Sequence, residues 1–193
     1  MERSSDTART PPSRRVDAQR NRERILNAAR AAFADPDADV SMAEIARRAE
    51  VGSATLYRNF TNRRELLEAL YVDEIDAVCE AAVTIDGDSP GAILEAWLRR
   101  FYAYFTSKRL VAAELLEHSG ADDPVFGAGY TRVLHAGRPL LLAATNTGEM
   151  QVDLTLEQIL DMLVAVAKIP GTASYRAPIL QAALQALRTT TDA

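Results

Sequence analysis

SMAEIARRAEVGSATLYRNF, residues Ser41 to Phe60, is the stretch on which the reading of this chain turns. Ser41 is a good helix N-cap, and Glu44 three positions on completes a capping-box pattern. Ile45 and Ala46 begin a short apolar face that runs to Ala49, and Glu50-Val51-Gly52-Ser53 then breaks it. Ser53 is placed to cap a second helix carrying Ala54 through Asn59. Two short helices joined by such a turn form a helix-turn-helix, whose second helix can enter the major groove of DNA. The spacing alone fits any helical hairpin of an all-α domain equally well. The chemistry of the second segment separates the two. Leu56 and Phe60, at i and i+4, share an inner face. Thr55, Tyr57, Arg58 and Asn59 fall largely on the other side, a set of hydroxyl, guanidinium and amide groups suited to phosphates and base edges.

Charge points the same way once its distribution is considered. The 193 residues carry a net charge of −5, which alone argues against a nucleic-acid partner. Residues 1–64, however, hold thirteen Arg against nine Asp and Glu, and the remainder holds nine basic against eighteen acidic side chains. A basic part joined to an acidic one is the pattern of a nucleic-acid-binding unit attached to something else. The acidic part would be repelled by DNA, which helps to fix which end docks. A single cysteine, Cys79, excludes an intrachain disulfide framework and reads as a buried thiol in a helix. No apolar run reaches the ~18 residues of a membrane span. The first fifteen residues have no hydrophobic core of a secretory signal, so a cytoplasmic location is expected.

Residues 1–16, with Pro11-Pro12 and Arg14-Arg15, read as a polar, disordered basic arm. It is either a solvated tail or an arm that follows the DNA backbone or minor groove. A first helix is expected from a cap at Asp17 to Phe33 or Ala34, with Ile25, Ala29, Ala32 and Phe33 inward and Arg20, Arg22, Arg24 and Arg30 mostly outward. Asp35-Pro36-Asp37 stops it. After Phe60, Asn62 and Glu65 form another capping-box pattern. Leu66, Leu67, Leu70 and Tyr71 then begin a long helix to about Val83. The sequence thus divides into an arm at 1–16, a DNA-binding domain at 17–79 with its motif at 41–60, and a C-terminal domain at 80–193.

Beyond Asp86-Gly87-Asp88-Ser89-Pro90 every segment reads as helix. Ser89 caps one with Pro90 at its first position, followed by a short helix from Leu110 to His118. The stretch Pro124 to Thr147 should break or kink near Gly137, because Gly127, Gly129, Gly137 and Pro139 are poor helix residues. Thr155 with Gln158 caps the next helix, which Pro170-Gly171 ends, and the last runs from about Ala177 to Arg188. The expected architecture is all-α, with about nine helices. A three-helix helix-turn-helix domain is joined by a long helix to a helical regulatory and dimerisation domain.

The run from Arg20 to Cys79 resembles the N-terminal domain of the TetR family of transcriptional regulators. The resemblance rests on AARAAFA, VSMAEIARRAEV, GSATLYRNF and TNRRELLEALY in that order. The pattern AWLRRF followed by an LLE helix is similar to members with an SbtR-like regulatory domain. The resemblance implies that Ser53, Ala54, Thr55, Tyr57 and Asn59 meet bases and phosphates from the recognition helix. It also implies that Ser41, Met42 and Ala43 abut the backbone, and that Arg63 stands where a phosphate-binding lysine is common. A homodimer through the last two helices, a double-stranded operator and a small-molecule effector follow from it as well. Three positions depart from the family pattern. The link Asp35 to Val40 lacks a glycine, Glu50 occupies the turn where glycine is usual, and Asn59 replaces a frequent histidine.

Two stripes support a dimer on their own chemistry. One is Leu156, Ile159, Leu160, Leu163 and Val166, and the other is Ile179, Leu180, Ala183, Leu184 and Leu187. Each could instead pack into its own domain. A dimer sets two recognition helices about 34–36 Å apart on a near-palindromic site. Trp97, Phe101, Tyr104, Phe105, Phe126, Tyr130 and Met162, with His118 and His135 as polar anchors, are candidates for lining an effector pocket, or else form a plain aromatic core. No metal-ligand spacing, cofactor motif or catalytic constellation stands out, since two histidines seventeen positions apart and one cysteine make no zinc site. The expectation is therefore a DNA-binding, ligand-responsive repressor and not an enzyme, with a constitutive DNA-binding and dimerisation module as the alternative.

Overall fold

The computed structural model of the chain describes residues 12–34, 40–107, 111, 114–115, 124–150 and 153–188. Among these, eight helices are complete: α1 Pro12–Ala34, α2 Met42–Arg48, α3 Ser53–Asn59, α4 Arg63–Thr84, α5 Pro90–Ser107, α6 Pro124–Asn146, α7 Leu156–Lys168 and α8 Ala173–Gln185. The only extended pairing among the described residues is one antiparallel bridge between Met150 and Arg188. The chain separates into two compact units, Met1–Leu70 and Tyr71–Ala193. The division lies inside α4, upstream of the boundary expected after Cys79. The reason is packing: Ile75 and Val78 already belong to the core of the second unit.

In the first unit α1 packs on α2 and α3. Ile25, Ala29, Ala32 and Phe33 of α1 are buried with Ile45, Ala46, Leu56, Phe60, Leu66, Leu67 and Leu70, so the inner faces read from periodicity are those observed. Helix α1 begins at Pro12, a residue that suits a helix start because its missing N–H is not needed there. The stretch 12–16 is therefore helical, whereas the sequence suggested an arm to 16 and a cap at Asp17. The remainder of the arm, and the Asp35–Asp39 part of the link after α1, lie outside the described residues.

In the second unit α5 packs on α6 and α7, and α7 on α8. Ser89 Oγ accepts from Ala92 N at 3.3 Å, as expected for a cap ahead of Pro90. Glu149 reinforces this start, its carboxylate accepting from Ser89 Oγ and Gly91 N. Thr155 and Gln158 form the reciprocal capping box of α7. Helix α6 is unbroken through Gly137 and Pro139. Gly137 is there for close approach: a methyl group on it would lie 2.6 Å from Cζ3 of Trp97 and nearer still to Cη2. The indole, fully buried, donates from Nε1 to the Val78 carbonyl at 3.0 Å, so α4, α5 and α6 meet at this one side chain. Helix α8 starts before Ala177 because Thr172 is its cap, Oγ1 accepting from Tyr175 N at 3.2 Å. Pro178 falls in the second turn, inside the helix. Of the expected helix Leu110–His118, only Val111, Glu114 and Leu115 are described; all three are helical, and Val111 and Leu115 are fully buried.

Candidate nucleic-acid interface

The interface is built from the caps outward. Ser41 Oγ accepts from Glu44 N at 3.2 Å and fixes the start of α2. The capping box is only half formed. The Glu44 carboxylate turns instead to Arg47 and Arg48, accepting at 2.7 and 2.8 Å from the first and 2.7 Å from the second. Hydrogen bonds from Arg47, then from Arg48, hold its carboxyl down at about 2. Two guanidinium groups are thereby aligned beside a shallow hollow of about 360 Å³ lined by Ser41, Ala43, Glu44, Arg47 and Arg48. With so low a pKa the Glu44 carboxyl stays ionised between pH 5 and 8. Glu44→Gln should release both guanidiniums, tightening binding to mixed-sequence duplex and steepening its salt dependence by about one. Titration of a labelled duplex at several salt concentrations would measure this.

Helix α2 ends on Ala49, and Glu50 takes a left-handed backbone with φ of 51°. The departure from glycine seen in the sequence is thus real in the backbone. Helix α3 is capped by Gly52, not Ser53. Gly52 sits in extended conformation with its carbonyl accepting from Thr55 N at 2.8 Å, and no side-chain cap is made. Ser53 is the first helical residue; it and Ala54 are exposed.

Leu56 and Phe60 are fully buried and seat α3, while Tyr57 is 51% exposed on the opposite side. Arg58 bends back over its own helix, donating from Nε to Ala54 O at 3.2 Å and from Nη2 to Thr55 Oγ1 at 2.9 Å. Asn59 is half-buried, its amide donating to Thr55 O at 2.8 Å, so this amide is committed to the helix. Of the remaining expected contacts, Met42 is half-buried and Ala43 exposed. Arg63 is not an outward phosphate clamp in this structure. It is half-buried, donates from Nη1 to the Val40 carbonyl and lies 5.4 Å from the Phe33 ring centroid. It ties the start of α4 to the entry of α2.

Two contacts here were not visible in the sequence. Arg22 lies 4.5 Å from the centroid of the Phe60 ring, and Arg24 Nη2 reaches Glu50. Both arginines read as outward charges on α1; only the fold brings residues so far apart in sequence together. Every cation of the Lys/Arg type in this unit is arginine, for the chain's two lysines are Lys108 and Lys168. Arginine's planar fork suits bidentate phosphate and base recognition.

The pocket candidates of the second unit form mostly core. Trp97 and Phe101 lie 6.4 Å apart between ring centroids, as do Phe101 and Tyr104, and all three are buried. Phe105 and Met162 are half-buried against the same core. Phe126 meets Tyr71 edge-on at 5.2 Å. Tyr130 and His135 are exposed on α6, and His118 lies outside the described residues. A polar group interrupts the apolar core: the Tyr71 and Tyr104 hydroxyls are hydrogen-bonded, with the carboxyl of buried Glu74 near Tyr104. Burial pushes both phenols up in pKa. A separate depression of about 410 Å³ is lined by Cys79, Thr131, Arg132, His135 and Ala136. Burial also raises the Cys79 thiol, so it is no ready nucleophile.

The proposed dimer stripes are corrected by burial. Leu156, Ile159, Leu160, Leu163, Val166, Leu180, Leu184 and Leu187 are buried in the chain's own core, Ile179 packs against it, and Ala183 is half-buried. These side chains are spent on α5 and on each other.

A capped helix-turn-helix bearing arginine and tyrosine outward defines the first unit as a DNA-binding domain of a transcriptional regulator. Residues 25–70 match the family model of bacterial regulatory proteins of the tetR family, and residues 89–189 that of the SbtR-like regulator C-terminal domain. The chain is 30% identical to a TetR transcriptional regulator of Streptomyces coelicolor, with 88% of this chain and 99% of that one covered at a TM-score of 0.71. A TetR regulatory protein of Mycobacterium vanbaalenii is 27% identical, with 91% and 99% covered at 0.70. A helix-turn-helix-type regulator of Mycobacterium bovis is 38% identical over 73 residues, a match that spans 37% of this chain and 38% of that protein. The chain belongs to the TetR family of transcriptional regulators. Its fold and family are those of transcriptional regulators, and no helix among the described residues is long and apolar enough to cross a membrane.

Proposed function

We propose that the protein is a ligand-responsive repressor that binds a near-palindromic operator as a homodimer. The observation that carries the DNA-reading part is the outer side of α3, where exposed Tyr57, Ser53 and Ala54 stand on a helix anchored by Leu56 and Phe60. Phosphate and base contact need that separation of anchor and display. Tyr57→Ala should weaken binding to all duplexes about tenfold, as a lost backbone contact does. A selected duplex and a scrambled one, compared by fluorescence anisotropy, test it; unchanged affinity for both would remove Tyr57 from the interface.

Dimerisation would use the outer faces of α7 and α8, since their inner stripes are occupied. Asp161, Ala165 and Lys168 on α7, and Ala177, Gln181, Ala182 and Gln185 on α8, are exposed, and the small residues permit close helix approach. Sedimentation at micromolar concentration would decide this: Ala182→Arg should shift a dimer towards monomer, and a parent already monomeric would refute the pairing.

Effector control is supported by the Tyr71–Tyr104–Glu74 group, polar chemistry placed within an otherwise apolar core. An effector would act by favouring a state in which α4, shared by both units, no longer holds two recognition helices at operator spacing. It can do so only through unequal affinity for the two states. The constitutive reading is favoured by one observation, the close packing of Trp97 on Gly137, which leaves no space there. Metabolite fractions added to the operator-bound protein separate the two; release by a fraction supports control, and no response to any fraction supports the constitutive module.

A further inference from the structure

The turn between α2 and α3 asks its third-from-last residue for a conformation that L side chains resist. Glu50 N donates to Arg47 O at 3.1 Å and Val51 N to Ala46 O at 3.0 Å, the paired bonds of a helix end that requires a left-handed residue. Glycine meets that need freely; a residue with a Cβ does not. Glu50 nevertheless stands there with φ of 51°.

Arg24 supplies what glycine would have made unnecessary. Its Nη2 donates to the Glu50 main-chain oxygen at 3.2 Å and to Glu50 Oε2 at 3.0 Å, across 26 positions of sequence. One guanidinium nitrogen thus holds the backbone and the side chain of the same strained residue. Glycine could not offer the second of these bonds. The consequence for α3 is direct, because Gly52, two residues on, provides the carbonyl that receives the first bonds of that helix from Thr55 N and Leu56 N. A rotation at residue 50 re-aims α3.

We propose that Arg24 is a positioning residue for DNA reading: by fixing Glu50 in the left-handed conformation it sets the face that α3 presents, without itself contacting DNA. This rests on the DNA-binding function proposed above. Arg24 could otherwise serve as one more phosphate contact on α1, and the two roles predict different behaviour. A phosphate contact contributes about one to the salt slope and acts alike on all sequences. A positioning residue leaves the slope alone and acts on discrimination.

The test uses the full chain and a duplex recovered by selecting genomic fragments with the parent protein. Arg24→Ala should weaken the selected duplex roughly five- to tenfold, affect a mixed-sequence duplex far less and leave the salt slope unchanged. Glu50→Ala, which keeps the demanding turn but loses the carboxylate, should behave alike. Glu50→Gly removes the demand, and in that background Arg24→Ala should change affinity by less than about twofold. Faster amide exchange at Val51 and Gly52 in Arg24→Ala and Glu50→Ala, but not in Glu50→Gly, is expected without DNA. That measurement still decides the clamp if the parent selects no duplex, an outcome that would defeat the proposed function instead. Equal losses from Arg24→Ala in both backgrounds with the slope reduced by about one, or unchanged amide exchange, would overturn the proposal.

Discussion

Trp97→Ala is expected to lower the stability of the C-terminal unit by about 3–5 kcal/mol, the cost of deleting a large, fully buried aromatic side chain. Three losses combine. The apolar transfer energy of the indole disappears, a cavity opens where α5 faces α6, and the Val78 carbonyl loses its donor from Nε1. Denaturant unfolding followed by circular dichroism measures it. A change below about 1 kcal/mol would mean that the indole is not the wedge between these helices.

Gly137→Ala is the complementary experiment, adding where the first removes. Alanine is the better helix former by about 1 kcal/mol, so on propensity alone the change should stabilise α6. The structure reverses that sign. The new methyl would meet the rigid indole of Trp97, 2.6 Å from Cζ3, and would lie 3.0 Å from Leu156 Cδ2. Overpacking of a closed core costs typically about 1–3 kcal/mol. The two substitutions are therefore coupled. In the Trp97→Ala background the clash with the indole is gone and only the approach to Leu156 Cδ2 remains, so Gly137→Ala should cost far less than in the parent. A double-mutant cycle that came out additive would show that the contact does not exist in solution.

The same pair explains why the sequence misled at this helix. Gly127, Gly129, Gly137 and Pro139 taken as propensities predict a break, yet α6 is continuous. Propensity describes a helix in water; Gly137 was selected by a neighbour from α5, and Gly129 similarly by Tyr71, whose hydroxyl would lie 2.7 Å from an added methyl. Periodicity fared better where burial alone decides, as at Leu56 with Phe60 and Ile25 with Ala29. It recovered the helices and their inner faces but could not say whether the stripes of α7 and α8 were covered by their own unit or by a second copy. Burial assigns Leu160 and Leu184 to their own core.

In the DNA-binding unit the residue types were legible and their commitments were not. Thr55, Tyr57, Arg58 and Asn59 have the chemistry of readers, but Arg58 and Asn59 bond to their own helix, and Arg63 to Val40. Such bonds depend on rotamers and on a loop carbonyl 23 positions away, information that spacing does not carry. The Glu50 strain was foreseeable only through the family resemblance, in which glycine is usual at this turn, for the local glycine, Gly52, has an ordinary extended backbone. Its remedy was not, since Arg24 differs in no local respect from the arginines around it.

Trp97 also makes the molecule its own instrument. It is the only tryptophan of the chain, and it lies wholly within the unit that begins at Tyr71. Emission excited at the red edge of aromatic absorption therefore reports on the surroundings of that unit's core. Circular dichroism sees both units. The difference between the two signals, recorded in one sample, resolves which half of the regulator opens first on heating and which half a bound duplex protects.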